Sequence, residues 1–204
     1  MRALSALLLV LALAPAPAAA RGIVGKGLVA GTNVSMVRLP PEGHDDWKPT
    51  GVVSGQGGVF LVYAIAGRLA AEGQIVFLHR GSTFEAGGQQ VGGVWAISVH
   101  IPLLARVTLV RTHRLDLHLR AGMYLDLVAG GEYHDETDMF MFEGEGDFGA
   151  GTNYGPAGGL GLAIATGPGQ LLIELRVDLG VDETSDTVTS SFRTFLLQTG
   201  YAFP

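Results

Sequence analysis

Gly169–Glu183 reads GQLLIELRVDLGVDE, and its pattern decides the fold. Leu171, Ile173, Leu175, Val177, Leu179 and Val181 occupy every second position, with Glu174, Arg176 and Asp178 between them. Successive side chains of a β-strand point to opposite faces. As a strand the segment has one aliphatic face and one charged face; as a helix it would scatter both kinds around the axis. Two environments suit such a strand. Its apolar face meets lipid while its charged face looks into a closed interior, or its apolar face meets the core of a soluble sandwich or barrel.

The start of the chain bears on that choice. Met1-Arg2 is a short basic region, Leu4–Leu13 an apolar run, and Ala18-Ala19-Ala20 a small-residue cleavage site. Residues 1–20 read as a secretory signal peptide, with a mature domain over 21–204. Hydrophobic residues make up 48% of the chain, yet after Ala20 no run of about 18 apolar residues occurs. Lipid tolerates only helices and closed barrels, because each backbone polar group needs a partner there. High hydrophobicity without a spanning helix therefore points to a barrel. The 31 glycines suit bends and a crowded interior. There is no cysteine, so neither a disulfide framework nor a thiolate metal site exists, and the 19 acidic residues against 13 basic ones argue against nucleic acid as a partner.

The same alternation recurs along the chain. Strands are expected at Ile23–Val37, Gly57–Leu69, Gln74–Arg80, Val94–Arg106, Arg114–Ala129, Tyr154–Thr166, the opening stretch, and Phe192–Phe203. Short turns are expected at Ala70–Gly73, Val107–His113 and Gly167–Gly169. Longer connections are expected at Leu39–Ser54, Gly81–Gly93, Gly130–Asn153 and Thr184–Ser190. An even strand count with alternating short and long connections suits an outer-membrane barrel whose termini lie on the periplasmic side. The expected fold is thus all-β: an eight-stranded, antiparallel, up-and-down transmembrane barrel.

The fifth strand nearly repeats the opening pattern. Leu115, Leu117, Leu119, Met123, Leu125 and Leu127 face one way, and Asp116, His118, Arg120, Tyr124 and Asp126 the other. Flipping the frame of the opening strand would place Arg176 in lipid at a cost of roughly 2–4 kcal/mol near the bilayer centre. The expectation is an interior charge network in which Glu174, Asp178, Asp116 and Asp126 pair with Arg176, Arg120 and His118. The interior of an eight-stranded barrel is just filled by side chains, so a plugged polar core is expected rather than an open pore.

Several segments resemble the PorT-like outer-membrane β-barrel proteins, small eight-stranded barrels akin to the OmpA and OmpX type. HIPLLARV at His100–Val107 is similar to that family's fourth-strand run, with His100 where the family has an acidic residue. LRAGMYLDLV at Leu119–Val128 is similar to its fifth strand. DFGAGTNYGPAGGLGLAI at Asp147–Ile164 is similar to its glycine-rich sixth, and LRVDLGVDE at Leu175–Glu183 to its seventh. The resemblance implies a fold and a membrane, and carries over no catalytic residue.

Other residue sets carry weaker chemical signals. Glu132, Asp135, Glu136, Asp138, Glu143, Glu145 and Asp147 could offer oxygen ligands to Ca²⁺, but lack the spacing of a calcium loop; the expectation is a solvated loop. Met139, Phe140, Met141 and Phe142 within it are expected to extend a strand above the bilayer. His44, Asp45, Asp46 and Trp47 with His134 make a weak metal set. Ser98, His100 and Glu174 are hydrolase candidates without supporting spacing, and no G-x-S-x-G occurs. Tyr63, Trp95, Tyr124, Tyr133, Tyr154, Tyr201 and Phe203 are candidate interfacial aromatics. No cofactor, metal or catalytic site is expected. The expected partners are outer-membrane lipid, lipopolysaccharide and the barrel-assembly machinery, and the expected state is a monomer. Its role would be structural or interactive: integrity, adhesion or recognition through outward loops. A narrow passive pore, a secreted lipocalin-like ligand-binding barrel and a membrane-embedded lipid hydrolase are the alternatives.

Overall fold

The computed structural model describes residues 22–37, 48–135, 152–181 and 192–203. Eight strands follow one another: β1 (Gly22–Val37), β2 (Lys48–Ala66), β3 (Leu69–Ala86), β4 (Gln89–Arg111), β5 (Leu115–Asp135), β6 (Thr152–Thr166), β7 (Gly169–Leu179) and β8 (Phe192–Phe203). Each is antiparallel to its neighbour in sequence, and β1 pairs with β8 from Lys26↔Phe203 to Val37↔Phe192, closing the barrel. Closure leaves no unpaired strand edge, the condition for crossing lipid with strands. No described helix is long and apolar enough to cross a membrane.

The alternation sorts side chains as β geometry requires. In β7, Leu172, Glu174, Arg176 and Asp178 are buried inward, while Leu171, Ile173, Leu175 and Leu179 are exposed outward. In β5, Met123, Leu125 and Leu127 face out, and His118, Arg120, Tyr124 and Asp126 face in. Outward aliphatics and aromatics, among them Val59, Phe77, Ile97, Leu103, Leu160, Phe195 and Leu197, continue round the wall. Buried arginines inside and exposed leucines outside invert the arrangement of a soluble protein.

Several expected boundaries move. Ala70–Gly73 is not a turn: it lies within β3, and the chain reverses at Gly67-Arg68, with Gly67 at φ 51°. The segment expected as a loop over Gly81–Gly93 is a hairpin arm. β3 runs to Ala86, β4 starts at Gln89, and Gly87 and Gly88, at φ 61° and 82°, make the turn. The connection after β3 is therefore short, contrary to the expected parity. β4 likewise runs through Val107–Val110, and its turn shrinks to residues 112–114. Glycine is favoured at the tips because positive φ is costly for other residues. The backbone of β5 reaches Asp135, inside the expected acidic loop.

Among the described residues the lumen holds three apolar clusters and a charged set, the smallest cluster being Leu104, Tyr124 and Ala157. Val29, Phe60, Val62, Val76, Ala163, Leu172 and Ala202, from six of the strands, form an apolar cluster. Phe84, Val91, Val94 and Phe192 form another at the end carrying the longer connections. Between these lie charges from β3, β4, β5 and β7. The interior is mixed, where a polar core was expected.

Candidate functional site

The charged interior is the one concentration of ionisable chemistry among the described residues. Its geometry begins with β6, whose inward positions are small. Gly159 stands in register between Arg120 of β5 and Arg176 of β7, and Gly161 between His118 and Glu174. A Cβ on Gly161 would collide with His118 Nε2. Missing side chains on β6 thus leave the volume that the long side chains of its two neighbours occupy.

Arg120, at 1% exposure, is clamped between two carboxylates: Glu72 Oε1 at 2.6 Å and Glu174 Oε2 at 2.7 Å. Gln74 donates to Glu72 at 2.7 Å and accepts from Arg176 at 3.1 Å, tying this clamp to the next group. Arg176 also lies 3.0 Å from Asp178 and 2.7 Å from His100 Nε2. A guanidinium only donates, so Nε2 accepts from it, and Nδ1 carries the proton donated to Asp126 at 2.7 Å. Arg80 completes Asp126 at 2.5 Å, touches Ser98 at 3.3 Å, and sits over the Phe192 ring at 5.0 Å. At the other end Asp116 lies 3.7 Å from His118, 3.1 Å from Arg111 and 3.8 Å from Arg106.

Asp116, His118, Arg120, Asp126, Glu174, Arg176 and Asp178 therefore all line one side of the lumen, but in three groups with other partners. Glu174 meets Arg120 of another strand, and Asp126 meets Arg80 and His100. His118 packs against Gly161, and its charged neighbour among the described ion pairs is Asp116 at 3.7 Å, beyond hydrogen bonding. Sequence reasoning missed Glu72, Gln74, Arg80 and Arg106. Glu72 falls where a turn was expected, and Arg80 closes the expected third strand. The alternation of Glu72, Gln74 and Arg80 with Ile75, Phe77 and His79 along β3 is the signal that could have placed those three, while Arg106 lies on the inward face of β4.

The three hydrolase candidates are engaged by other partners. Ser98 takes a hydrogen bond from Arg80, His100 is engaged by Asp126 and Arg176, and Glu174 is paired with Arg120. No nucleophile–base contact links Ser98, His100 and Glu174 among the described hydrogen bonds. Tyr124, a candidate interfacial aromatic, is buried in the lumen with its ring 5.1 Å from His100. Tyr63, Tyr154 and Phe203 are exposed on the outer wall, and Trp95 stacks on His79 there at 5.5 Å. The calcium candidates, the Met139–Phe142 knot and the set His44, Asp45, Asp46, Trp47 and His134 lie outside the residues whose side chains are described.

A closed antiparallel barrel, apolar outside and charged within, defines a protein that crosses a membrane with strands. Residues 22–186 match the family model described as outer membrane protein beta-barrel domain, and the chain belongs to that family. The protein is a small β-barrel of the outer membrane. Its fold is similar to that of the outer membrane protein OprG from Pseudomonas aeruginosa, with TM-score 0.51 and 12% identity over 89% of this chain and 97% of that one. Ail, the attachment invasion locus protein of Yersinia pestis, gives TM-score 0.42 and 16% identity over 90% and 100%. The outer membrane protein AlkL, solved in DMPC lipid bilayers, gives TM-score 0.42 and 16% identity over 92% and 93%. No curated protein matches the chain.

Proposed function

We propose that this barrel is a non-conducting, non-catalytic monomer whose role is structural or interactive, exercised through its outward connections as membrane integrity, adhesion or recognition. The observation that carries this reading is the closed lumen. Arg80, His100, His118, Arg120, Glu174 and Arg176 span it with 0–2% of their surface exposed, and every described arginine among them faces a carboxylate. Such a core fills the barrel and holds its register. The finer reading places the chain near the PorT-like branch, exported by a cleaved leader over residues 1–20 and inserted by the barrel-assembly machinery. It puts the tight turns at Gly67, residues 112–114 and Gly167 in the periplasm, with lipid and lipopolysaccharide around the wall. The interior groups Asp116, His118, Arg120, Asp126, Glu174, Arg176 and Asp178 act as a structural plug in this reading.

Planar-bilayer recording tests it. The refolded protein is expected to give no steady single-channel current at any holding potential the bilayer survives. Reproducible unitary currents that vanish on boiling the sample would replace the plug with a pore.

A further inference from the structure

At the turn end of the barrel, where Asp116 ends the charged plug, the lumen opens into a cavity of about 460 Å³. Its two sides differ chemically. Phe60, Val62 and Leu172, from the apolar lumen cluster, form one side. Arg106, Arg111 and Asp116 form the other. The rim carries Arg68 and Arg114 from two turns, so four arginines surround a single carboxylate.

Arg106 stands out within this set. It is 9% exposed, yet its ion pair with Asp116 is long at 3.8 Å, and it donates no hydrogen bond among the described residues. Asp116 is meanwhile engaged by Arg111 at 3.1 Å. The Arg106 guanidinium reaches the solvent of the cavity, where an incoming anion would accept the charge-assisted hydrogen bond that Asp116 at 3.8 Å does not.

We infer that this cavity binds a single-chain amphipathic anion, with its carboxylate or phosphate head on Arg106 and its hydrocarbon chain against Phe60, Val62 and Leu172. A small hydrated anion would leave the apolar side wet, and an uncharged hydrocarbon would leave Arg106 with only its long pair to Asp116. The volume falls within the range of about 300–1,000 Å³ usual for small-molecule pockets. The site faces the periplasm in the orientation proposed above, and is independent of what the outward connections contact.

Calorimetric titration of octanoate into the protein in nanodiscs of zwitterionic lipid, with empty discs as blank, tests the site. One saturable event per barrel is expected, with octanol and inorganic phosphate each binding at least about tenfold more weakly, since each offers half the contacts. Arg106→Gln should weaken octanoate by about tenfold. Because that change could disturb Glu72 and Asp116, Ala64→Phe supplies a second variant. Ala64 lines the cavity at its mouth and pairs with no charge, and the added ring should also weaken octanoate by about tenfold by filling the space. Retention of the boiling-dependent gel shift verifies folding of both. Heats identical to empty discs, octanoate binding untouched by Ala64→Phe in folded protein, or phosphate binding as tight as octanoate would overturn the inference. Repeating the titration with phosphatidylglycerol in the discs identifies the source. Unchanged binding supports a free amphiphile, and competition would reassign the site to a headgroup of the bilayer's own lipid.

Discussion

At the scale of single residues, the interior is governed by what each charge would face without its partner. Arg176 touches Asp178, His100 and Gln74 at 2.7–3.1 Å. Removing one member of a buried ionic group leaves the others desolvated and unpaired, at a cost of about 3–5 kcal/mol. Arg176→Leu should accordingly lower stability by that amount in urea-dependent refolding into detergent micelles, and an unmoved midpoint would contradict the network. Gly161 presents a steric case. The Cβ of Gly161→Ala would land against His118 Nε2, and overpacking of this kind costs about 1–3 kcal/mol. His118→Ala should remove most of that penalty. A double-mutant cycle on the same urea midpoints should therefore show strong coupling, and additive single effects would show that the histidine is not in the way.

At the scale of elements, the sequence was informative where the strand lies in hydrocarbon and less so beyond it. β5 and β7 alternate leucines with charges, so period two and the inward face were legible directly. The glycine-rich inward face of β6 was legible too, although its reason is spatial: the long side chains of β5 and β7 fill the room it leaves. The extra lengths of β3 and β4 were not legible. The inward face of their hairpin is buried through Ser82, Phe84 and Val91, but its outward residues are polar and glycines interrupt both arms, so no sustained apolar alternation marks it and Gly81–Gly93 reads as a loop by composition. Cross-lumen pairing was hidden for a related reason. Which carboxylate meets Arg120 depends on stagger across the barrel, and Glu72 is 48 residues away in sequence. The hairpin also permits a test of sidedness. An epitope inserted between Gly87 and Gly88 should be stained on intact cells, whereas one between Gly167 and Pro168 should need permeabilised cells. Reversed accessibility would invert the proposed orientation.

For the whole molecule, membership of the outer-membrane family and the closed antiparallel barrel agree on where the protein resides, and the distribution of side chains gives the physical reason. Exposed Leu, Ile, Val and Phe cover the wall, while guanidiniums and carboxylates that lipid would reject are paired inside. The chain has no cysteine, so single-cysteine spin labels can be placed along β7 without background. The most direct test is oxygen accessibility of labels at positions 171 through 179 in protein reconstituted into lipid vesicles. Oxygen concentrates in hydrocarbon, so accessibility should rise at 171, 173, 175, 177 and 179 and fall at 172, 174, 176 and 178. An oscillation with that phase would support a strand whose aliphatic face meets lipid and whose charged face fills the lumen. A flat profile, or one of opposite phase, would contradict it.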